Sequence, residues 1–151
     1  MYASEIWGTV RLDGIKKVHM MACQHFLGVP LRTPNKMVYG ELGRYPLFVN
    51  STLRCLKYWL RVLKMDIRIP KQAYKMMILM DESEKKCWVT QVKNVLSKNG
   101  FYCVWVVGDE KNFLCELKQR LTDNFIQEWN ATIRDKDRYF PYRNVKSIFE
   151  P

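Results

Sequence analysis

Apolar residues recur at spacings of three and four through most of this chain, and glycine, proline and short polar pairs interrupt them. That period predicts a succession of helices. DGIKKVHMMACQHFL, Asp13 to Leu27, carries Ile15, Val18, Ala22 and Phe26 on one stripe, the apolar side of an amphipathic helix that Gly28 ends. TPNKMVYGELGRYPLFV follows, residues 33–49. Thr33 offers a capping hydroxyl and Pro34 a ring already set at the helical φ. Gly43 supplies the stop, since glycine takes the left-handed conformation at little cost. A short helix is expected over 34–42, before Pro46 opens a new apolar run.

Residues 46–65 give the most informative pattern. Val49, Leu53, Leu56, Leu60 and Leu63 repeat at helical spacing, and Cys55, Trp59 and Val62 widen the apolar arc. What remains is a narrow stripe of Arg54, Lys57, Arg61 and Lys64, within about 80° of one another at the helical period. This predicts a buried helix with one basic edge. Pro70 starts another helix, KQAYKMMILM, ending in the acidic turn DESE at 81–84. A helix over roughly 86–98 places Trp88, Val92 and Leu96 on one side, and Asn99-Gly100 stops it. FYCVWVV at 101–107 is continuous and rich in β-formers, which suits either a strand or a buried extended link. Asp109 can cap a long helix in which Phe113, Leu117, Leu121, Phe125, Trp129 and Ile133 recur every four residues. The tail, DKDRYFPYRNVKSIFEP, is aromatic and basic, and its ending suggests a chain cut from something longer. The expected fold is all-α, a single compact bundle of six or seven helices over residues 1–151, with at most one short extended segment near 101–107.

Charge adds direction to this picture. With 151 residues, 48% of them hydrophobic, the chain can bury a core, and its formal net charge of +10 favours polyanionic partners. Residues 1–80 hold 13 Lys+Arg against 4 Asp+Glu, and residues 81–151 hold 12 against 11. A polyanion-binding face is therefore expected in the first half. Cys23, Cys55, Cys87, Cys103 and Cys115 form no CxxC pair, are odd in number and lie mostly in apolar runs, which suits buried free thiols in a reducing compartment. MYASEIWG lacks the basic leader and apolar core of a signal peptide, and no apolar run reaches membrane-spanning length. An intracellular location, cytoplasmic or nuclear, and no membrane partner are expected.

Catalytic patterns are sparse. Two-metal chemistry needs clustered carboxylates to hold ions about 4 Å apart. Asp81, Glu82 and Glu84 form the tight acidic group, and they suit a solvated turn with capping duty. His19, Cys23 and His25 suggest zinc, but on a helix residue 25 points away from 19 and 23, and no fourth ligand is evident. Both histidines lie in that one helix, so cysteine–histidine nucleophilic catalysis lacks a geometric basis. Gly40 and Gly43 do not make a phosphate-binding loop, because GELG lacks the strand context and the GK[ST] ending. No catalytic residue, metal, cofactor or small-molecule substrate is expected. The basic stripe on 46–65 is the stronger signal, since cations on one face can neutralise successive phosphates, with Tyr58 near enough to stack on unpaired bases. MMILM at 76–80 fits core packing, or alternatively a partner-binding surface.

The order of the motifs carries a resemblance. YASEIWG at 2–8, LGVPLRTPNKMVYGELGRYPL at 27–47 and LKYWLRVLKM at 56–65 resemble the open reading frame of non-long-terminal-repeat (LINE-type) retrotransposons. There the segment after the polymerase reads like Y-G-x-E-x-W-G, L-G-V, T-P-N, V-Y-G-E-L-G-R-x-P-L and K-Y-W in that order. NGFYCVWV and QRLTDNFIQEW are similar to the same region, so the resemblance covers nearly the whole chain. TPN with VYGELGR-x-PL is its specific part. Ala3 stands where that pattern has glycine. Such proteins also carry an apurinic-type endonuclease, a reverse transcriptase with a YxDD-like motif and a terminal cysteine–histidine cluster. None of these is present here, and RDKDR at 134–138 is no substitute.

The resemblance implies a helical region following the polymerase thumb, non-catalytic itself, in a parent RNA-directed DNA polymerase. Its expected partners are RNA or DNA, bound with low specificity, and the polymerase domain of the parent protein. The candidate nucleic-acid-binding residues are Arg54, Lys57, Arg61 and Lys64, followed by Arg32, Lys36 and Arg44 on and beside the short helix. That helix and the Gly43-Arg44 turn are expected to form a rigid corner, with Gly40 permitting close packing. The alternative is a helical protein-interaction scaffold that packs on the polymerase or another partner, through Met76, Met77 and Met80.

Overall fold

A computed structural model describes residues 13–108 and 112–150. Among the described residues it is all-α, with eight α-helices and no strand. They are α1 (Asp13–Leu27), α2 (Asn35–Leu42), α3 (Leu47–Lys64), α4 (Arg68–Glu82), α5 (Trp88–Lys98), α6 (Tyr102–Val107), α7 (Phe113–Asp135) and α8 (Phe140–Val145), with a 3-10 turn at Asp137–Tyr139 before α8. None of the described helices is long and apolar enough to cross a membrane. YASEIWG and the expected Asp109 cap lie outside the described residues.

The extended segment expected near 101–107 is instead the helix α6. Within that apolar run Phe101, Val104 and Trp105 stand at helical spacing. Phe101 and Val104 are buried, and the Trp105 ring stacks on Trp59 at 5.6 Å and 11°. Tyr102, Val106 and Val107 are exposed, so one face of a helix satisfies the core and overrides the β-propensity of the run. Other boundaries differ less. α4 begins at Arg68, two residues before Pro70, whose missing N–H costs nothing in a first helical turn. It also absorbs Asp81 and Glu82, which had been expected in the following turn.

The described residues gather into two compact units, one formed by 48–108 and 112–120, the other by 13–47 with 121–150. In the first, Leu56 and Trp59 of α3, Val89, Val92 and Leu96 of α5, Val104, Phe113 and Leu117 form the buried interior. The Trp59 indole N–H donates to the Tyr74 hydroxyl at 3.0 Å, so burying this large ring leaves no orphan donor. Asp81, only 12% exposed in its side chain, receives the Lys93 ammonium at 3.1 Å. Hydrogen bonds from Thr90 and from Lys93 outweigh burial and hold the Asp81 carboxyl below its ordinary pKa, while the same pair raises that of Lys93. Thr90 also accepts the Cys87 N–H at 3.1 Å, which caps α5. The ionised carboxylate is thus favoured by the fold, and its contribution is present above about pH 4 and lost as pH falls through the lowered native value. Wild type should therefore exceed Asp81→Asn in urea midpoint at neutral pH, and that lead should shrink as pH falls below about 4. A lead unchanged by acid would contradict the assignment.

The second unit packs Met20 and Cys23 of α1, Val38 and Tyr39 of α2, Phe125, Trp129 and Ile133 of α7, Tyr139 and Phe149 into one core. All six residues of the four-residue repeat along α7 are buried. On α1, however, the expected apolar stripe is the exposed one, with Val18 at 68% and Phe26 at 82% exposure. Met20, Cys23 and Gln24 face inward instead. The buried Gln24 amide explains part of this, since it donates to the carbonyls of Leu31 (3.2 Å) and Thr33 (3.0 Å) and so fastens the turn after α1. Thr33 does not cap α2; Pro34 occupies that position without a side-chain hydrogen bond.

Gly43 ends α2 at φ 58°, ψ 30°, and the Arg44 N–H returns to the Tyr39 carbonyl at 3.2 Å. A side chain in this left-handed conformation costs about 1–2 kcal/mol. Gly43→Val should therefore lower stability by at least that amount in thermal unfolding followed by circular dichroism. An unchanged midpoint would remove the case for a rigid corner.

Candidate nucleic-acid interface

The position of the basic edge follows from what the rest of α3 buries. Val49, Ser51, Thr52, Cys55, Leu56, Trp59 and Val62 are all buried. Trp59 fixes the rotation of the helix twice, by its stack on Trp105 and by its hydrogen bond to Tyr74. Arg54, Lys57, Arg61 and Lys64 are consequently exposed, along one side of the helix. Spaced at three and four residues, they rise about 15 Å from first to last, which spans two to three successive phosphates of a duplex strand or of an unpaired one.

Tyr58, which the sequence offers as a base-stacking residue, is half-buried. Its ring meets Trp88 edge-on at 5.8 Å and lies under the Arg61 guanidinium at 5.5 Å. The ring therefore orients an arginine of the stripe, and Arg61 is held against the surface rather than swinging freely.

Arg32, Lys36 and Arg44 belong to the other unit. Arg32 and Arg44 are exposed there. Lys36 is engaged internally: its ammonium meets Glu128 at 2.8 Å and stands 4.8 Å over the Phe125 ring, leaving the side chain 20% exposed. Nothing in the sequence near Lys36 signals this, because Glu128 lies 92 residues further on. Arg44 lines a small crevice of about 210 Å³ with His19, Ala22, Cys23, Phe26 and Leu42. Burial first, and the Arg44 charge second, lower the His19 pKa.

His19 and Cys23 do share a face of α1, with Nε2 and Sγ 3.7 Å apart. Among the described residues no group of three or more histidine, cysteine, aspartate or glutamate side chains is arranged to hold a metal ion. All five cysteines are free thiols, of which Cys23 and Cys55 are buried while Cys103 and Cys115 are exposed, contrary to the burial expected for most of them. Of the acidic group, Glu82 and Glu84 are exposed at the turn that ends α4, as expected of a solvated turn, whereas Asp81 is bound by Lys93. No family model matches the chain, nor does any curated protein or solved structure.

Proposed function

We propose that this chain is a non-catalytic, nucleic-acid-contacting accessory domain of a LINE-type retrotransposon reverse transcriptase, from the region after the polymerase thumb. One observation carries the nucleic-acid part of the reading: four exposed cations share one side of α3 while Thr52, Cys55, Leu56, Trp59 and Val62 on the opposite side are buried. A helix anchored in that way offers charges at fixed spacing, so phosphates are met without reordering the backbone. The reverse transcriptase part rests on the ordered motifs, above all TPN and VYGELGR-x-PL.

In this role the domain holds RNA template or target DNA beside the polymerase domain of its parent protein, inside the cell. Phosphate contacts position a strand without reading its bases, so selectivity among sequences is weak. Arg54, Lys57, Arg61 and Lys64 carry the contact, with Arg61 oriented by Tyr58. Arg32 and Arg44 stand second, and Lys36, tied to Glu128, contributes least.

The test is fluorescence anisotropy of labelled single-stranded RNA, duplex DNA and RNA–DNA hybrid across a salt series. Wild type is compared with the variant in which Arg54, Lys57, Arg61 and Lys64 are all glutamine. Absence of binding at low salt, or identical curves for both proteins, would refute the reading.

A further inference from the structure

α4 has two apolar faces, and among the described residues only one of them is packed. Pro70, Tyr74, Met77 and Ile78 are half-buried, with Tyr74 accepting the Trp59 indole N–H. On the other side Ile69, Ala73, Met76, Leu79 and Met80 are exposed, Ile69 at 78% and Met76 at 61%. With Gln72 they fill an arc of about 120°, repeating at the three- and four-residue spacing of a helix-packing seam. The seam runs about 16 Å from residue 69 to residue 80, three turns of helix. Arg68, Lys71 and Lys75 line one of its edges, all three exposed, with Lys71 paired to Asp66 at 3.1 Å and Glu82 at the far end of the same edge.

We propose that this face of α4 docks an amphipathic helix of another protein whose apolar stripe is flanked by acidic residues. The apolar seam supplies the contact area, and two methionines let it adapt to branched or aromatic anchors. Arg68 and Lys75, with Lys71 shared with Asp66, set the sign of the partner, because a basic-flanked helix would bring like charges together at that edge. Against a membrane surface the same row would serve as well, but a lipid face selects no helical register, whereas the seam repeats at helix-packing spacing over three turns. The site is independent of the basic edge of α3.

The probe is a labelled, designed helical peptide of about 18 residues with a leucine stripe flanked by glutamates, titrated in anisotropy at moderate salt. Its counterpart carries lysine in place of every flanking glutamate. Met76→Asp with Leu79→Asp should weaken binding of the acidic peptide by about tenfold or more, since both positions are solvent-facing and lie at the centre of the seam. Lys71→Glu with Lys75→Glu should weaken it about fivefold and improve binding of the lysine-flanked peptide. Circular dichroism checks that each variant folds. The variant with four glutamines on α3 should bind the acidic peptide as wild type does, at moderate salt. Equal binding of both peptides, or equal binding by the Met76→Asp/Leu79→Asp variant, would overturn the proposal. So would binding to phosphatidylserine vesicles with none to the peptide, or self-association of the chain that the same two aspartates abolish.

Discussion

Valine in place of Gly40 should lower the thermal midpoint of the unit that contains it by about 10 °C, a loss of roughly 3 kcal/mol. A β-carbon built at this position would stand 2.6 Å from the Tyr142 hydroxyl, 2.9 Å from Trp129 Cζ2 and 3.2 Å from Trp129 Nε1. The indole cannot retreat cheaply. It is fully buried, and its N–H donates to the Lys36 carbonyl at 2.7 Å, so displacement breaks a buried hydrogen bond as well as the packing. The Tyr142 hydroxyl is held as well, by the Met37 carbonyl at 3.4 Å and by a hydrogen bond to Glu41. Alanine at 40 should cost less, because its gain in helix propensity, about 1 kcal/mol, offsets part of the overlap. Gly14 is the control, with nothing within 4 Å of its missing β-carbon. Gly14→Ala should leave the midpoint unchanged or slightly raised in the same calorimetric or circular dichroism scan. If Gly40→Val melts like wild type, α2 and α7 do not approach as closely as described.

Replacing Arg54, Lys57, Arg61 and Lys64 by glutamine should change the salt dependence of nucleic-acid binding more than any other surface change. Each neutralised phosphate contributes about 0.9 to the logarithmic salt slope on duplex DNA and about 0.7 on a single strand. Two to three contacted phosphates therefore account for a loss of roughly 10- to 40-fold in affinity between 50 and 200 mM salt, and the variant should show a slope flatter by about two units. Lys36→Gln separates charge from architecture. Its ammonium is bound to Glu128 and seated over Phe125, so that variant should lose stability while its salt slope stays near wild type. The reverse pattern, a flattened slope for Lys36→Gln and none for the four α3 residues, would move the interface to the other unit.

How legible this molecule was depended on how many neighbours each residue needed. α3 and α7 could be read because a stripe repeated over five or six turns leaves one solution for the buried side. α1 could not: two apolar stripes overlap on it, and which of them faces inward depends on Tyr39, Phe125 and the carbonyls that Gln24 reaches. α6 misled for a related reason, since a seven-residue apolar run carries no period until Trp59 supplies the ring that Trp105 stacks on. Glycines were clearer. The αL stop at Gly43 is a local necessity, and a glycine inside α2 signals close approach even before Trp129 is identified as the neighbour. The charges of the basic edge were visible as a pattern, yet the engagement of Lys36 by Glu128 and the use of Tyr58 to orient Arg61 depend on tertiary placement.

The division of the core has a consequence for synthesis on the ribosome. The described interior of one unit comes from the continuous stretch 48–120, whereas the other joins 13–47 to 121–150. At translation rates of about 5–20 residues per second, α1 and α2 wait roughly 4–15 s between leaving the exit tunnel and meeting the α7 side chains that complete their core. Met20, Cys23, Val38 and Tyr39 are without Phe125, Trp129 and Ile133 during that interval. The stretch 48–120 can meanwhile settle on its own contacts, ahead of the unit whose two segments flank it. α1 and α2 are then at their most vulnerable to chaperone capture and to proteases until the stretch 121–150 has been made.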